Sequence, residues 1–460
     1  MLGRVLIVLG STWLVGQLVK KRLTGCKRIR GEDKISALPE DLLVRILLLL
    51  PTKDAVTTMI LSKRWLSVWK MVPRLDYKEI KEDVGTHKRF LGGLLGRLLG
   101  KSERQKSVWR FLNESLPLHK APVLYELLIE LGPHCPVDAE FGKLIANAIV
   151  DRRVLALSFH IMWSAEPTVL PTSLYMCNTL VCLRLHDKVL VDVSSQACLP
   201  SLTHLDLIYV TYKDEDSLIR LLSSCPILKH LYVMRIGQDN VTKFSVKVPS
   251  LERLDYLDAV PRVLSEEDIG GSLVIDSASL TTFLLADAST NSCWIENKLS
   301  LDKALIYVFS FPGDEFLTSL SSVTYLELLL SSFTVACCEA IDFSQLIDCK
   351  LHFTSLDWIE PFVLLLQNSP KLKVLLIEER LNNIEAFPLS WNQPSSVPEC
   401  LSNNLEIFEW NEYGGTNEEK EVARYIFANS KCLKRAGISL KKSVCKGKER
   451  EDDGRVRIHA

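Results

Sequence analysis

Between Asp33 and Trp69 the apolar residues recur at helical spacing in three short runs cut apart by turn signals. On Leu38–Leu50, the residues Leu42, Leu43, Ile46, Leu47 and Leu50 make one stripe. Val44, Leu48 and Leu49 widen it around the cylinder, leaving Arg45 as the sole charge between Asp41 and Lys53. The Leu50-Pro51-Thr52-Lys53 break ends this helix. Thr52 is placed to cap a second helix carrying Val56, Met59 and Ile60, and Ser62 a third carrying Trp65, Val68 and Trp69. So small a unit leaves a large share of its surface exposed and cannot bury that much apolar area alone. The surplus faces either the chain's own downstream domain or a second protein.

A different rhythm follows. Leu180-x-x-Leu183-x-Leu185 recurs as Leu202-x-x-Leu205-x-Leu207, as Leu228-x-x-Leu231-x-Val233, and as Leu251-x-x-Leu254-x-Tyr256, at spacings of 22, 26 and 23 residues. A period of ~20–29 with this wording predicts a leucine-rich-repeat solenoid. The alternating leucines turn one face of a short strand into a shared core, and the residues between them face the concave surface. Looser matches begin at Leu124, Val154, Leu280, Leu301, Val323, Leu346, Leu372 and Leu405. A longer echo aligns Ile219–Val233 with Val363–Ile377 without gaps, and more weakly with Arg424–Ile438. Each reads as helix, polar stop, then strand, with Pro226 and Pro370 ending the helix. The consensus Asn or Cys after the last leucine is missing, with Lys188 and Val210 in its place, so the repeats should be irregular. An ordinary α/β domain is the alternative; a fixed period favours the solenoid.

Composition narrows the class. The chain has 460 residues, 47% hydrophobic and 24% charged, enough for two to four globular domains. With 55 basic against 56 acidic residues the net charge is −1, so no global field favours nucleic acid. Thirteen cysteines, an odd number scattered through apolar segments, fit reduced thiols of the cytoplasm or nucleus better than a disulfide framework. Residues Leu2 to Val19 are strongly apolar and followed by Lys20-Lys21-Arg22 and Lys27-Arg28. They offer a membrane anchor as an alternative, with the body cytoplasmic; Arg4, Gln17 and three glycines weigh against it. The Lys20–Arg30 cluster also fits a nuclear address.

Catalytic chemistry is not indicated. Gly96-Arg97-Leu98-Leu99-Gly100-Lys101-Ser102 ends like a phosphate loop, but three residues separate its glycines where the nucleotide motif needs four. No paired-cysteine or H-E-x-x-H metal pattern occurs, and adjacent Cys337-Cys338 suit packing. His204 and His230 stand between repeat leucines and should face the concave side. We expect no catalytic residues, no metal and no cofactor.

The first segment resembles the F-box, through Leu38-Pro39, Leu42, Ile46, Leu50-Pro51, Leu61-Ser62-Lys63-Arg64-Trp65 and Trp69. The end resembles the FBD domain of plant F-box proteins, through Pro394, Val397-Pro398-Glu399-Cys400-Leu401, Leu405, Gly415, Glu418-Glu419, Tyr425 and Cys432-Leu433-Lys434. The extension before the F-box departs from that family. The expected fold is α/β: an extension (1–32), a three-helix F-box (33–77), a linker (78–115), an irregular leucine-rich-repeat solenoid (116–390), an FBD-like α/β unit (391–440) and a charged, solvated tail (441–460). The resemblance implies a non-catalytic substrate receptor of an SCF-type cullin–RING ubiquitin ligase. Leu38, Pro39, Leu42, Ile46, Leu50, Pro51, Leu61, Trp65 and Trp69 would then meet the cullin adaptor, and the repeats a target protein. A membrane-tethered repeat scaffold is the alternative function.

Overall fold

Alternate residues of a long succession of short strands point into one core, and that alternation builds the molecule. A computed structural model describes residues 35, 37–78, 108–132, 135, 140–150, 152–162, 166–235, 240–258, 272–287, 292–296, 301–308, 316, 319–330, 334, 338–339, 341–353, 358–379, 391, 393–441 and 455–459. Among the described residues fifteen strands form one sheet in strict chain order, the signature of a solenoid. They are β1 (Arg74–Tyr77), β2 (Glu126–Leu131), β3 (Ala156–Ile161), β4 (Cys182–Asp187), β5 (His204–Ile208), β6 (His230–Arg235), β7 (Arg253–Asp258) and β8 (Thr282–Asp287). Then come β9 (Lys303–Val308), β10 (Tyr325–Leu330), β11 (Asp348–Phe353), β12 (Val374–Glu379), β13 (Ile407–Tyr413), β14 (Arg435–Leu440) and β15 (Arg455–His459). All neighbours pair in parallel except β14 and β15, which are antiparallel.

Register keeps like with like. Leu183, Leu205, Leu231, Leu254 and Phe283 stack across β4–β8, and Leu185, Leu207, Val233, Tyr256 and Leu285 form the next tier. All ten are essentially sealed. Each such side chain contributes roughly 1.5–3 kcal/mol of burial, so the array is held by repetition. The repeat leucines Leu180, Leu202, Leu228 and Leu251 are also buried, each two residues before its strand. Every looser match behaves alike: Leu124, Val154, Leu280, Leu301, Val323, Leu346, Leu372 and Leu405 are all buried, and each precedes a strand by two residues.

The three-part echo is three helix–strand units. Glu215–Ser223 leads into β6, Ile359–Gln367 into β12, and Asn417–Asn429 into β14. Between β6 and β9 the return path uses strands instead: Lys243–Lys247, Ser272–Asp276 and Ser292–Ile295 pair in parallel as a small sheet of their own. The expected irregularity is visible after β4 and β5, where Asp187 (φ 65°) and Tyr209 (φ 55°) adopt the left-handed conformation. These residues immediately precede Lys188 and Val210, where the consensus turn residue is missing.

Two of the expected segments carry regular structure of their own. Val108–Ser115, expected within a linker, is a helix: Leu112 is buried and Phe111 packs on both the N-terminal unit and the solenoid. Its Trp109, Phe111 and Leu112 form an apolar face that caps the first repeat. In the tail, the backbone of Arg455–His459 pairs antiparallel with β14. The apolar run Leu2–Val19, the basic cluster Lys20–Arg30 and the phosphate-loop look-alike Gly96–Ser102 lie outside the described residues. Among the described residues no helix is long and apolar enough to cross a membrane.

Candidate docking face and concave surface

Three helices compose the N-terminal unit: α1 (Glu40–Leu47), α2 (Thr52–Thr57, continued by a 3-10 turn Thr58–Ile60) and α3 (Lys63–Trp69). Pro39, Pro51 and Ser62 occupy their N-cap positions. Thr52, expected to cap α2, instead accepts the Asp76 amide through its hydroxyl at 2.7 Å, tying the unit to β1.

The single apolar stripe expected on α1 divides in two. Leu43 and Leu47 turn inward onto Ala55, Val68 and Val72, completing a small core. Leu42 and Ile46 turn outward, 38% and 40% exposed, and Leu49 extends that row at 73%. Met59 and Ile60 add 38% and 61% from the turn after α2. Pro39 and Pro51 are exposed, and Leu38, Leu50, Leu61 and Trp65 are half-buried. Leu38, Leu50 and Trp65 lean on the small core, and the Arg64 guanidinium donates to the Leu38 carbonyl.

Trp69 is the exception. It is 1% exposed, sealed between the unit and the solenoid, its ring 6.1 Å from that of His119. The chain leaves α3 directly into β1, so the last turn of that helix faces the first repeat. Trp69 therefore belongs to the seam. Leu49, Met59 and Ile60 lie outside the expected set and are exposed too, and Leu49 continues the Leu42–Ile46 row at helical spacing.

The seam is polar as well as apolar. The Lys120 amide donates to the Lys70 carbonyl at 2.8 Å, and the Tyr125 amide to the Pro73 carbonyl at 2.7 Å. His119, buried, donates from Nε2 to the Val72 carbonyl (2.7 Å), while its Nδ1 accepts from Arg152 (3.0 Å). Burial pushes its pKa down to about 4, with the Arg152 charge acting in the same direction and the Val72 carbonyl opposing. A cavity of about 300 Å³ separates the α1–α2 corner from β1.

On the concave face His204 and His230 stand between the repeat leucines as expected, and their rings stack at 4.4 Å. Arg184 donates to Asp206 at 3.1 Å beside them. Further along, His352 is fully buried, 2.6 Å from Glu327, and Lys350 lies 3.1 Å from both Glu327 and Glu378. Despite the cost of burying Glu327, bonds from His352, Tyr307 and Lys350 hold its carboxyl far below the usual range. Among the described residues no group of His, Cys, Asp or Glu could hold a metal ion. Burial pushes the Cys225 thiol up to about 11 and those of Cys293 and Cys400 up to about 12, which makes them packing residues and poor nucleophiles.

Three family models match the chain: the F-box domain over residues 35–77, the repeats of the FBD-associated F-box protein At5g56370 over 145–269, and FBD over 393–438. Among curated proteins of Arabidopsis thaliana, the chain is 48% identical over 432 residues to the putative F-box/FBD/LRR-repeat protein At1g22000, covering 90% of this chain and 87% of that one. It is 48% identical to the putative FBD-associated F-box protein At1g05080 (90% and 92% covered). The F-box/FBD/LRR-repeat protein At4g26340 is 38% identical (88% and 92% covered).

Proposed function

Since this chain belongs to the F-box/FBD/LRR-repeat proteins, we propose that it is the substrate-recognition subunit of an SCF-type cullin–RING ubiquitin ligase. One observation carries the reading. The F-box closes its own core with Leu43, Leu47, Ala55, Val56 and Val68, yet the large apolar side chains Leu42, Ile46, Leu49, Met59 and Ile60 remain exposed. A unit that has sealed its interior gains nothing in stability from exposing these side chains, which suits a surface meant for another protein. The cullin adaptor covers that face, with Leu42 and Ile46 as central anchors, Pro39 and Pro51 at its rim, and Leu38, Leu50, Leu61 and Trp65 supporting it. Trp69 acts from behind by fixing the F-box to the repeats.

The protein supplies no reacting group. It holds a target on the solenoid while the adaptor end sits in the ligase, and ubiquitin transfer gains from the raised local concentration of a tethered reactant. The test is Leu42→Asp with Ile46→Asp. Burying two carboxylates in an apolar interface should weaken adaptor capture by roughly 100-fold or more, with the circular dichroism spectrum unchanged. Capture of purified adaptor at wild-type strength by this double variant would defeat the assignment.

A further inference from the structure

The concave surface carries a depression of about 330 Å³ on β5–β7. Asp206, Tyr232 and Asp255 occupy the same outward position on these three strands, in register. At the strand spacing of ~4.8 Å, Tyr232 thus stands between two carboxylates. The stacked His204 and His230 form one wall, and Arg253 lies at the rim. Arg184 is bonded to Asp206, and Arg253 to Asp255 at 2.8 Å through Oδ2, so both guanidinium groups are engaged. The other oxygen of Asp255, Oδ1, is buried without a hydrogen-bond partner. The two carboxylates are thus matched by two guanidinium groups, leaving Asp255 Oδ1 as an acceptor without a partner. Burial, aided by His230, holds His204 toward its neutral form. Alongside runs an in-register strip of half-buried apolar residues, Ile208, Met234, Leu257 and Ala286.

We propose that this depression receives a lysine or arginine side chain of the target protein, its cationic head over Tyr232 and between Asp206 and Asp255, with neighbouring apolar residues of the target on the Ile208–Ala286 strip. The proposal rests on the receptor reading for the existence of a target, and names the chemistry of its recognition. A cation gains from the unpartnered oxygen of Asp255 and from the aromatic faces. An anion would meet guanidinium groups already taken and a carboxylate oxygen with no hydrogen-bond donor, which opposes it.

The test uses the full chain and fluorescein-labelled tetralysine, tetraarginine and tetraglutamate, with binding read by anisotropy at low salt. The basic peptides should bind about tenfold more tightly than tetraglutamate. Asp206→Asn with Asp255→Asn should weaken them about tenfold, Tyr232→Leu about threefold, and Glu421→Gln, on the distant Asn417–Asn429 helix, not at all. Binding of tetraglutamate as tight as that of the basic peptides, absence of basic-peptide binding, or a double variant that binds like wild type overturns the proposal. Adaptor capture by the same double variant should be intact; a failure of capture in the F-box variants bears on the receptor reading alone.

Discussion

His119 shows how one buried side chain ties two units together and leaves a signature in pH. Its Nδ1 accepts from Arg152 and its Nε2–H donates to Val72, a pattern that needs the neutral ring. The folded pKa near 4 lies below the ordinary 6.5. Between these values the unfolded chain takes up a proton that the native state refuses, so stability falls as pH drops through that window and levels off beneath it. From pH 7 to pH 5 this residue alone should cost about 2 kcal/mol. Urea titrations of wild type and His119→Gln at both pH values check it: the variant should lose that part of the acid sensitivity. Equal acid slopes in the two proteins would remove His119 from the account. Trp69 teaches a related lesson. Its truncation should cost ~3–5 kcal/mol through cavity formation at the seam, so loss of adaptor binding in Trp69→Ala would say nothing about the docking face.

At the scale of elements the repeats were largely legible in the sequence, because Leu-x-x-Leu-x-Leu records a turn leucine and two inward strand positions at once. The weaker matches were faint for a simple reason. In the tier begun by Leu183, the inward residue becomes Phe283, Ala304, Cys349 and Phe408, all buried but none a leucine. The helix Val108–Ser115 is hard to read from sequence because its 8 residues are too few to establish a helical period. Direction within the F-box was not legible either: when a helix is apolar most of the way round, spacing cannot tell Leu42 from Leu43. Nor does alternation foresee Glu327 and His352, which stand in or near the outward rows yet are covered by their own neighbours. The C-terminal unit offers a local test. Thr416 and Glu419 form a reciprocal capping box, Oγ1 accepting the Glu419 amide at 3.2 Å and the carboxylate accepting the Thr416 amide at 2.7 Å. Gly415 enters it at φ 78°, a backbone angle that glycine takes without strain. Thr416→Ala should cost about 1 kcal/mol and speed amide exchange in the first turns of Asn417–Asn429 roughly fivefold. Unchanged protection there would mean that packing, and not the cap, holds the helix.

Over the whole molecule the F-box is also the solenoid's first cap. β1 follows α3 with only four residues between them, pairs Arg74–Tyr77 with Glu126–Ile129, and buries Leu75 and Tyr77 in the repeat core. A solenoid stripped of its terminal unit exposes an unpaired strand edge and half of an apolar layer. Removing residues 35–77 therefore does more than delete an adaptor site. It uncovers the β2 edge, together with Leu127, Ile129 and the inner face of the Val108–Ser115 helix. The truncated chain should elute from size-exclusion chromatography as oligomers or aggregate and melt several degrees below the intact protein, whereas Leu42→Asp with Ile46→Asp stays monomeric with its melting temperature little changed. A monomeric, equally stable truncation would show that the repeats carry their own cap. If the truncation does aggregate, its loss of adaptor and target together cannot separate docking from folding. Only the surface variants can, because they alter the outward row of α1 and leave the seam of Thr52, Trp69 and His119 intact.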